Sequence, residues 1–184
     1  MKNILLSTGA ASVIAALCAA DLQAAETNTP PARIGIYDSR AVAYAWFWSG
    51  RQQIQLNALM QKARDARSAG DTNRFKEYAA TLSQLQDEMH REVFSTAPAT
   101  NALAELKGRL PGIQKAAGVS ALVSKWDDAA LAGSPEAERE DVTDRLVHEF
   151  IQPNVEQQKV LSEMKRQKPM PLEQCDELIR KGEI

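Results

Sequence analysis

Two histidines, an adjacent pair of aspartates and two cysteines are the residues of this 184-residue chain whose chemistry would first suggest a catalyst or a metal site. His90 and His148 lie far apart in sequence, and neither has a second histidine at metal-ligand spacing. The runs His90-Arg91-Glu92 and His148-Glu149 fall in segments that read as helix, where exposed polar residues are ordinary. Asp127-Asp128 would be a candidate acid and base pair, but between two apparent strands adjacent aspartates are common turn formers. No Gly-x-Ser-x-Gly elbow, phosphate-binding glycine loop or Gly-x-Gly-x-x-Gly run occurs. Nothing places a base beside a nucleophile. The sequence therefore predicts a protein that is not an enzyme, with no catalytic residue, no metal ligands and no cofactor.

Residues 1–24 read as a secretory signal peptide. Lys2 supplies the positive start, Ile4 to Ala20 the apolar middle, and Leu22-Gln23-Ala24-Ala25 the small-residue cleavage site. A spanning helix would need ~20 consecutive apolar residues, and this stretch is interrupted by Ser7, Thr8, Gly9 and Ser12 and ends in Asp21. Acylation of Cys18 is disfavoured because Leu17, not a small residue, precedes it. The expected location is the periplasm, with 25–32 a short disordered leader containing Pro30-Pro31. Removal of the signal leaves Cys175 without an internal partner, so its thiol is either buried or paired between chains. The formal charge of -2 provides no basic field for nucleic acid or anionic lipid.

Scarce aromatics and abundant Ala, Gln, Glu and Lys point to a mainly helical protein with a small β body. Arg33-Ile34-Gly35-Ile36-Tyr37 reads as a strand, and Asp38-Ser39 as the cap of a helix that is apolar all round and so must be buried. Its Trp46, Phe47 and Trp48 could form a ligand platform, although packing explains them more simply. From Arg51 to Ala69, Leu56, Leu59 or Met60, Ala63 and Ala66 recur in steps of three and four. Gly70-Asp71-Thr72 breaks the run, and Phe75, Tyr78, Leu82, Leu85 and Met89 repeat the spacing beyond it. The pattern predicts a long antiparallel helical hairpin, a coiled-coil arm over 51–117. In that reading the return helix keeps its phase past Pro98 to Leu103, Leu106, Leu110, Ile113 and Ala117, with a second kink or a restart near Gly108.

Val119 to Trp126 then alternates as a strand and Ala129 to Gly133 as a weaker partner, giving a strand pair over 119–133. Ser134 to Glu140 reads as a polar loop. Asp141-Val142-Thr143-Asp144 caps a helix over 141–150 whose buried face is Val142, Leu146, Val147 and Phe150. A helical extension, 151–184, follows with an amphipathic segment around Leu161 and Met164 and a last helix from Leu172 to Lys181.

The order of these motifs over 33–150 resembles the OmpH family of Skp-like periplasmic chaperones. Arg33 to Ser39 with Ala41 to Tyr44, Gly118 to Val123, and Asp141-Val142-Thr143-Asp144-Arg145-Leu146-Val147 carry the resemblance. It implies a homotrimer with a central β body and three arms that hold unfolded outer-membrane or envelope proteins. Two departures stand out: Arg51 to Ser95 carries seven Lys or Arg against six Asp or Glu, where the family's arms are cationic, and 151–184 runs past the family's usual end. Phe75, Tyr78, Met89, Val93 and Phe94 are the candidate client contacts, each also usable in the hairpin seam. The other reading is an envelope scaffold or adaptor that binds one folded partner through the same arm.

Overall fold

The computed structural model describes residues 33–184; the signal peptide and leader expectations fall on residues outside that range. In chain order the elements are β1 Arg33–Tyr37, α1 Ser39–Trp48, α2 Arg51–Ser68, α3 Thr72–Phe94, α4 Thr100–Glu105, α5 Leu110–Ala117, β2 Ala121–Ser124, α6 Asp128–Ala132, β3 Glu138–Asp141, α7 Thr143–His148, α8 Val155–Arg166 and α9 Leu172–Lys181. The protein is mostly helical around one small sheet. That sheet has the order β2-β1-β3 and is parallel throughout, with Ile34 opposite Ala121 on one side and Arg139 on the other. Gly35 sits at its centre because a Cβ there would lie 2.9 Å from Leu122 Cδ2 and 3.1 Å from Val142 Cγ2.

Helix α1 is the hub. Asp38 caps it by accepting from Arg40 N, and its small residues Ala41, Val42 and Ala45 are fully buried among Leu106, Leu146 and Val147. Small side chains let several elements approach α1 at once, and α2, α3, α4, α7 and α8 all pack on it. A buried ion pair fixes the packing: Arg40 reaches Asp38 at 3.0 Å and lies 5.2 Å from the Trp126 ring. The same guanidinium donates to Met164 O and Gln167 O, the carbonyls that end α8. One side chain thus ties the C-terminal extension to the strand–helix junction.

Helices α2 and α3 pack on each other across the turn at Gly70, which takes a positive φ of 72°. Near that turn the Arg67 guanidinium lies 5.8 Å from the Phe75 ring. Farther along, Leu56 and Met60 on α2 share a cavity wall with Leu82, Leu85 and Met89 on α3.

Three expectations are corrected. The return helix does not run through Pro98: α3 stops at Phe94, and the chain restarts as α4 and α5. Ser95 Oγ turns back to donate to Arg91 O while accepting from Ala97 N, and Thr96 N donates to Met170 O, so local contacts and backbone bonds to Met170 replace the helical ladder ahead of the proline. Pro111 lies in the first turn of α5, where its missing N–H costs nothing. The second correction concerns 129–133, which is helix α6. Asp127 accepts from Ala130 N, and an alanine-rich segment behind an aspartate cap favours helix over strand.

The third is the strand hidden in the expected polar loop. β3 is Glu-Arg-Glu-Asp, held by ladder bonds to β1 and by Arg33, which pairs with Glu138 and Glu140 at 3.0 Å each. Asp141 ends this strand and is not the cap residue of α7. Its carboxylate accepts from Thr143 N and Oγ1 and from Lys125 Nζ, and these bonds hold its pKa below the ordinary value against the burial that would raise it. The expected buried face of Val142, Leu146, Val147 and Phe150 is present, the chain takes the restart rather than the kink near Gly108, as α5, and α9 spans the expected last helix.

Candidate functional site

An apolar groove forms where the end of α1 meets α2 and α3. Trp46 and Phe47 come from the last turn of α1, which ends at Ser49 and Gly50 as the chain turns into α2. Gln52, Gln55, Leu56 and Met60 come from α2, and Leu82, Leu85, Gln86 and Met89 from α3. Spacings of three and four put each set on one helix face. The cavity has a volume of about 410 Å³, within the range of sites that take organic ligands.

A second cavity of about 350 Å³ adjoins it and shares Trp46, Gln52, Gln55, Leu85 and Met89, extending the groove toward Asn101, Ala104 and Glu105 on α4. The first cavity has no ionisable residue on its wall. The second adds only Glu105, which faces Arg51 at 3.6 Å.

Phe47, Met60 and Leu85 are 39%, 38% and 39% exposed along this groove, among the largest apolar side chains left in water in the described residues. Their burial against a ligand is available free energy. Full burial of such a side chain is worth ~1.5–3 kcal/mol, so covering the exposed two-fifths of three amounts to on the order of 2–3 kcal/mol. Methionines and glutamines on the wall accept many shapes, because both side chains are unbranched and flexible.

The five residues singled out in the sequence do not form one site. Phe75 and Tyr78 lie near the Gly70 turn, Tyr78 beside Lys62, Asp65 and Arg74. Met89 lines the groove. Val93, largely buried in the core, and Phe94 both line a separate cavity of about 670 Å³ formed with α8 and the segment 167–171. The groove residues missed were Trp46 and Phe47, assigned to packing, and the glutamines, which carry no pattern of their own. Trp48 does pack, with its ring 5.1 Å from Tyr44.

The histidines, Cys175 and Tyr37 line neither of these two cavities. His90 stacks near Phe94 at 5.8 Å and His148 is exposed on α7. Among the described residues no cluster of histidine, cysteine, aspartate and glutamate could hold a metal ion, and no helix is long and apolar enough to cross a membrane. Cys175 is fully buried on α9, and burial raises its thiol pKa, with Asp176 adding to the effect. Tyr37, buried near Asp127 and Glu92, is pushed up to about 12, chiefly by desolvation. No protein-family model, no curated protein and no solved structure matches the chain.

Proposed function

We propose that the protein is a non-catalytic periplasmic holdase of the OmpH type, which binds exposed apolar segments of unfolded outer-membrane or envelope proteins in the groove between α1, α2 and α3. The observation that carries this reading is the uncharged, methionine- and aromatic-lined cavity that leaves Phe47, Met60 and Leu85 partly in water. In this reading α2 and α3 form a projecting antiparallel arm, and the groove lies at its base. The order of motifs over 33–150 supports the family assignment, and the near-balanced arm charge implies a grip that is apolar.

The magnitudes fit a weak, adaptable contact. A gain of on the order of 2–3 kcal/mol per groove corresponds to a millimolar or weaker site. Holding a client therefore needs several grooves acting on one chain, as in a trimer, where linked sites raise avidity without new contacts. Light scattering of the mature protein should give three chains per particle; the mass of one chain would remove the avidity argument.

The test is dilution of a urea-unfolded outer-membrane β-barrel protein into buffer with the mature protein, at low salt and at 1 M salt, with turbidity as readout. Screening at 1 M reaches within ~3 Å, so apolar holding predicts suppression at both. No suppression at either salt would favour the adaptor that binds one folded partner.

A further inference from the structure

The groove and the cavity of about 670 Å³ lie at opposite ends of the packing between α1 and α3. The groove joins Trp46 and Phe47, in the last turn of α1, to Leu82, Leu85 and Met89 of α3. The larger cavity joins Arg40 and Tyr44, in the first turns of α1, to Val93 and Phe94 at the end of α3. The two helices therefore run antiparallel, with Ala41, Val42 and Ala45 buried between the two ends. Such small side chains form a shallow face on which a packed helix can shift. Helix α3 has 23 residues and so spans about 35 Å as a stiff rod. How its last turn is held thus decides where its groove wall stands.

The chain that follows α3 does not hold it in line, because the backbone leaves helical geometry at Ser95 and starts α4 only at Thr100. Residues 164–176 supply the hold instead. The Arg40 guanidinium donates to Met164 O at 2.8 Å and to Gln167 O at 2.7 Å, which ties the segment to the start of α1. Met170 N donates to Phe94 O at 3.2 Å and Thr96 N donates to Met170 O at 3.0 Å, which ties it to the end of α3. Arg91 Nε then donates to Asp176 Oδ1 at 2.6 Å, next to the buried Cys175. Pro169 and Pro171 flank Met170, and each fixes its own φ and lacks an N–H, so the short run is stiff and bonds through Met170 alone. One stretch of chain thus spans both helices at the end away from the groove.

We propose that residues 164–176 act as a clamp across α1 and α3 that sets the opening of the groove at the opposite end, and that releasing the clamp lets α3 tilt on the small-residue face of α1. The C-terminal extension is then a control element for the groove, whatever the groove holds. No residue beyond Met164 belongs to the main hydrophobic cluster, so release leaves that cluster in place.

The test places spin labels on ketone-bearing amino acids at positions 83 and 148 of the mature protein and reads the distance between them by pulsed electron resonance. Ser83 is exposed on α3, and His148 is exposed on α7, which packs on α1, so the distance follows α3 against α1. Met170→Pro removes the N–H that reaches Phe94 O, and Asp176→Ala removes the ion pair. Deuterium exchange at the Thr96 amide, whose bond ends on Met170 O, reports release of the segment independently. In the double variant Thr96 should exchange about tenfold faster, and the distance distribution should widen about twofold. Should that variant fail to fold, Asp176→Ala alone, at a side chain 41% exposed, should shift both readouts the same way by less. Faster Thr96 exchange with an unchanged distribution would overturn the clamp, and unchanged Thr96 exchange would show that these bonds do not hold the segment and overturn it too. Equal widening in Gly35→Ala, which strains the sheet and leaves residues 164–176 alone, would mean general loosening and would also overturn it.

Discussion

Replacing Arg40 by methionine tests how the strand–helix junction is held. Arg40 is 5% exposed and Asp38 is fully buried, so Arg40→Met leaves a carboxylate in the interior with only the Arg40 N and Trp126 Nε1 contacts remaining. Removing one partner of a buried pair costs ~3–5 kcal/mol, because the remaining charge keeps its desolvation penalty. Here two further bonds, to Met164 O and Gln167 O, are lost as well, which places the effect toward the upper end. At ~2–4 °C per kcal/mol for a domain of this size, Tm should fall by about 6–20 °C. The companion Asp38→Asn retains an oxygen for the α1 cap and removes the charge, so the double variant should recover part of the loss. Calorimetry of the wild type, the two single variants and the double variant supplies the cycle. A Tm loss below about 2 °C for Arg40→Met would refute the claim that Arg40 ties α8 to the body, and fully additive losses would refute the coupling of Arg40 to Asp38.

Glu92 makes the fold sensitive to pH. Burial lifts its pKa from 4.5 to about 7, against the hydrogen bonds it accepts from Asn101 N and Thr100, with Glu88 adding to the rise. The folded state therefore holds a proton that the unfolded state releases above 4.5. This stability is full below pH 4.5 and is lost as pH rises through about 7, by on the order of 3 kcal/mol. Glu92→Gln should be more stable than wild type at pH 8 and should flatten the change in urea midpoint between pH 5 and 8; a midpoint difference independent of pH would contradict this. Gly35→Ala should destabilise by about 1–3 kcal/mol through overpacking against Leu122 and Val142, and an unchanged melting curve would show that the sheet relaxes freely. Leu85→Gln, on a partly exposed position, should change stability by less than about 1 kcal/mol while reducing suppression of client turbidity; unimpaired suppression would remove Leu85 from the site.

Elements with local causes were legible in the sequence. β1, the Asp38 cap, the break at Gly70 and the helix from Leu172 to Lys181 each follow from residues next to one another in the chain. The fate of α3 was not, because Met170, far along the chain, supplies the backbone partners that let it stop at Phe94. β3 was invisible for a related reason. Glu138 to Asp141 have no apolar alternation, and they form a strand because β1 offers a ladder and Arg33 two ion pairs. The groove was half legible: Leu56, Met60, Leu82, Leu85 and Met89 stood out as seam residues, but heptad spacing does not reveal that the end of α1 brings Trp46 and Phe47 to the same cavity. Candidate contacts chosen from the hairpin alone were scattered for the same reason.

A photoreactive amino acid placed at position 85, and separately at position 78 near the Gly70 turn, tests the central claim most directly when the mature protein is illuminated with an unfolded β-barrel client in 1 M salt. The account predicts crosslinks to the client from position 85 and few from 78. Equal crosslinking from both, or none from 85, would mean that the groove between α1, α2 and α3 is not where clients are held.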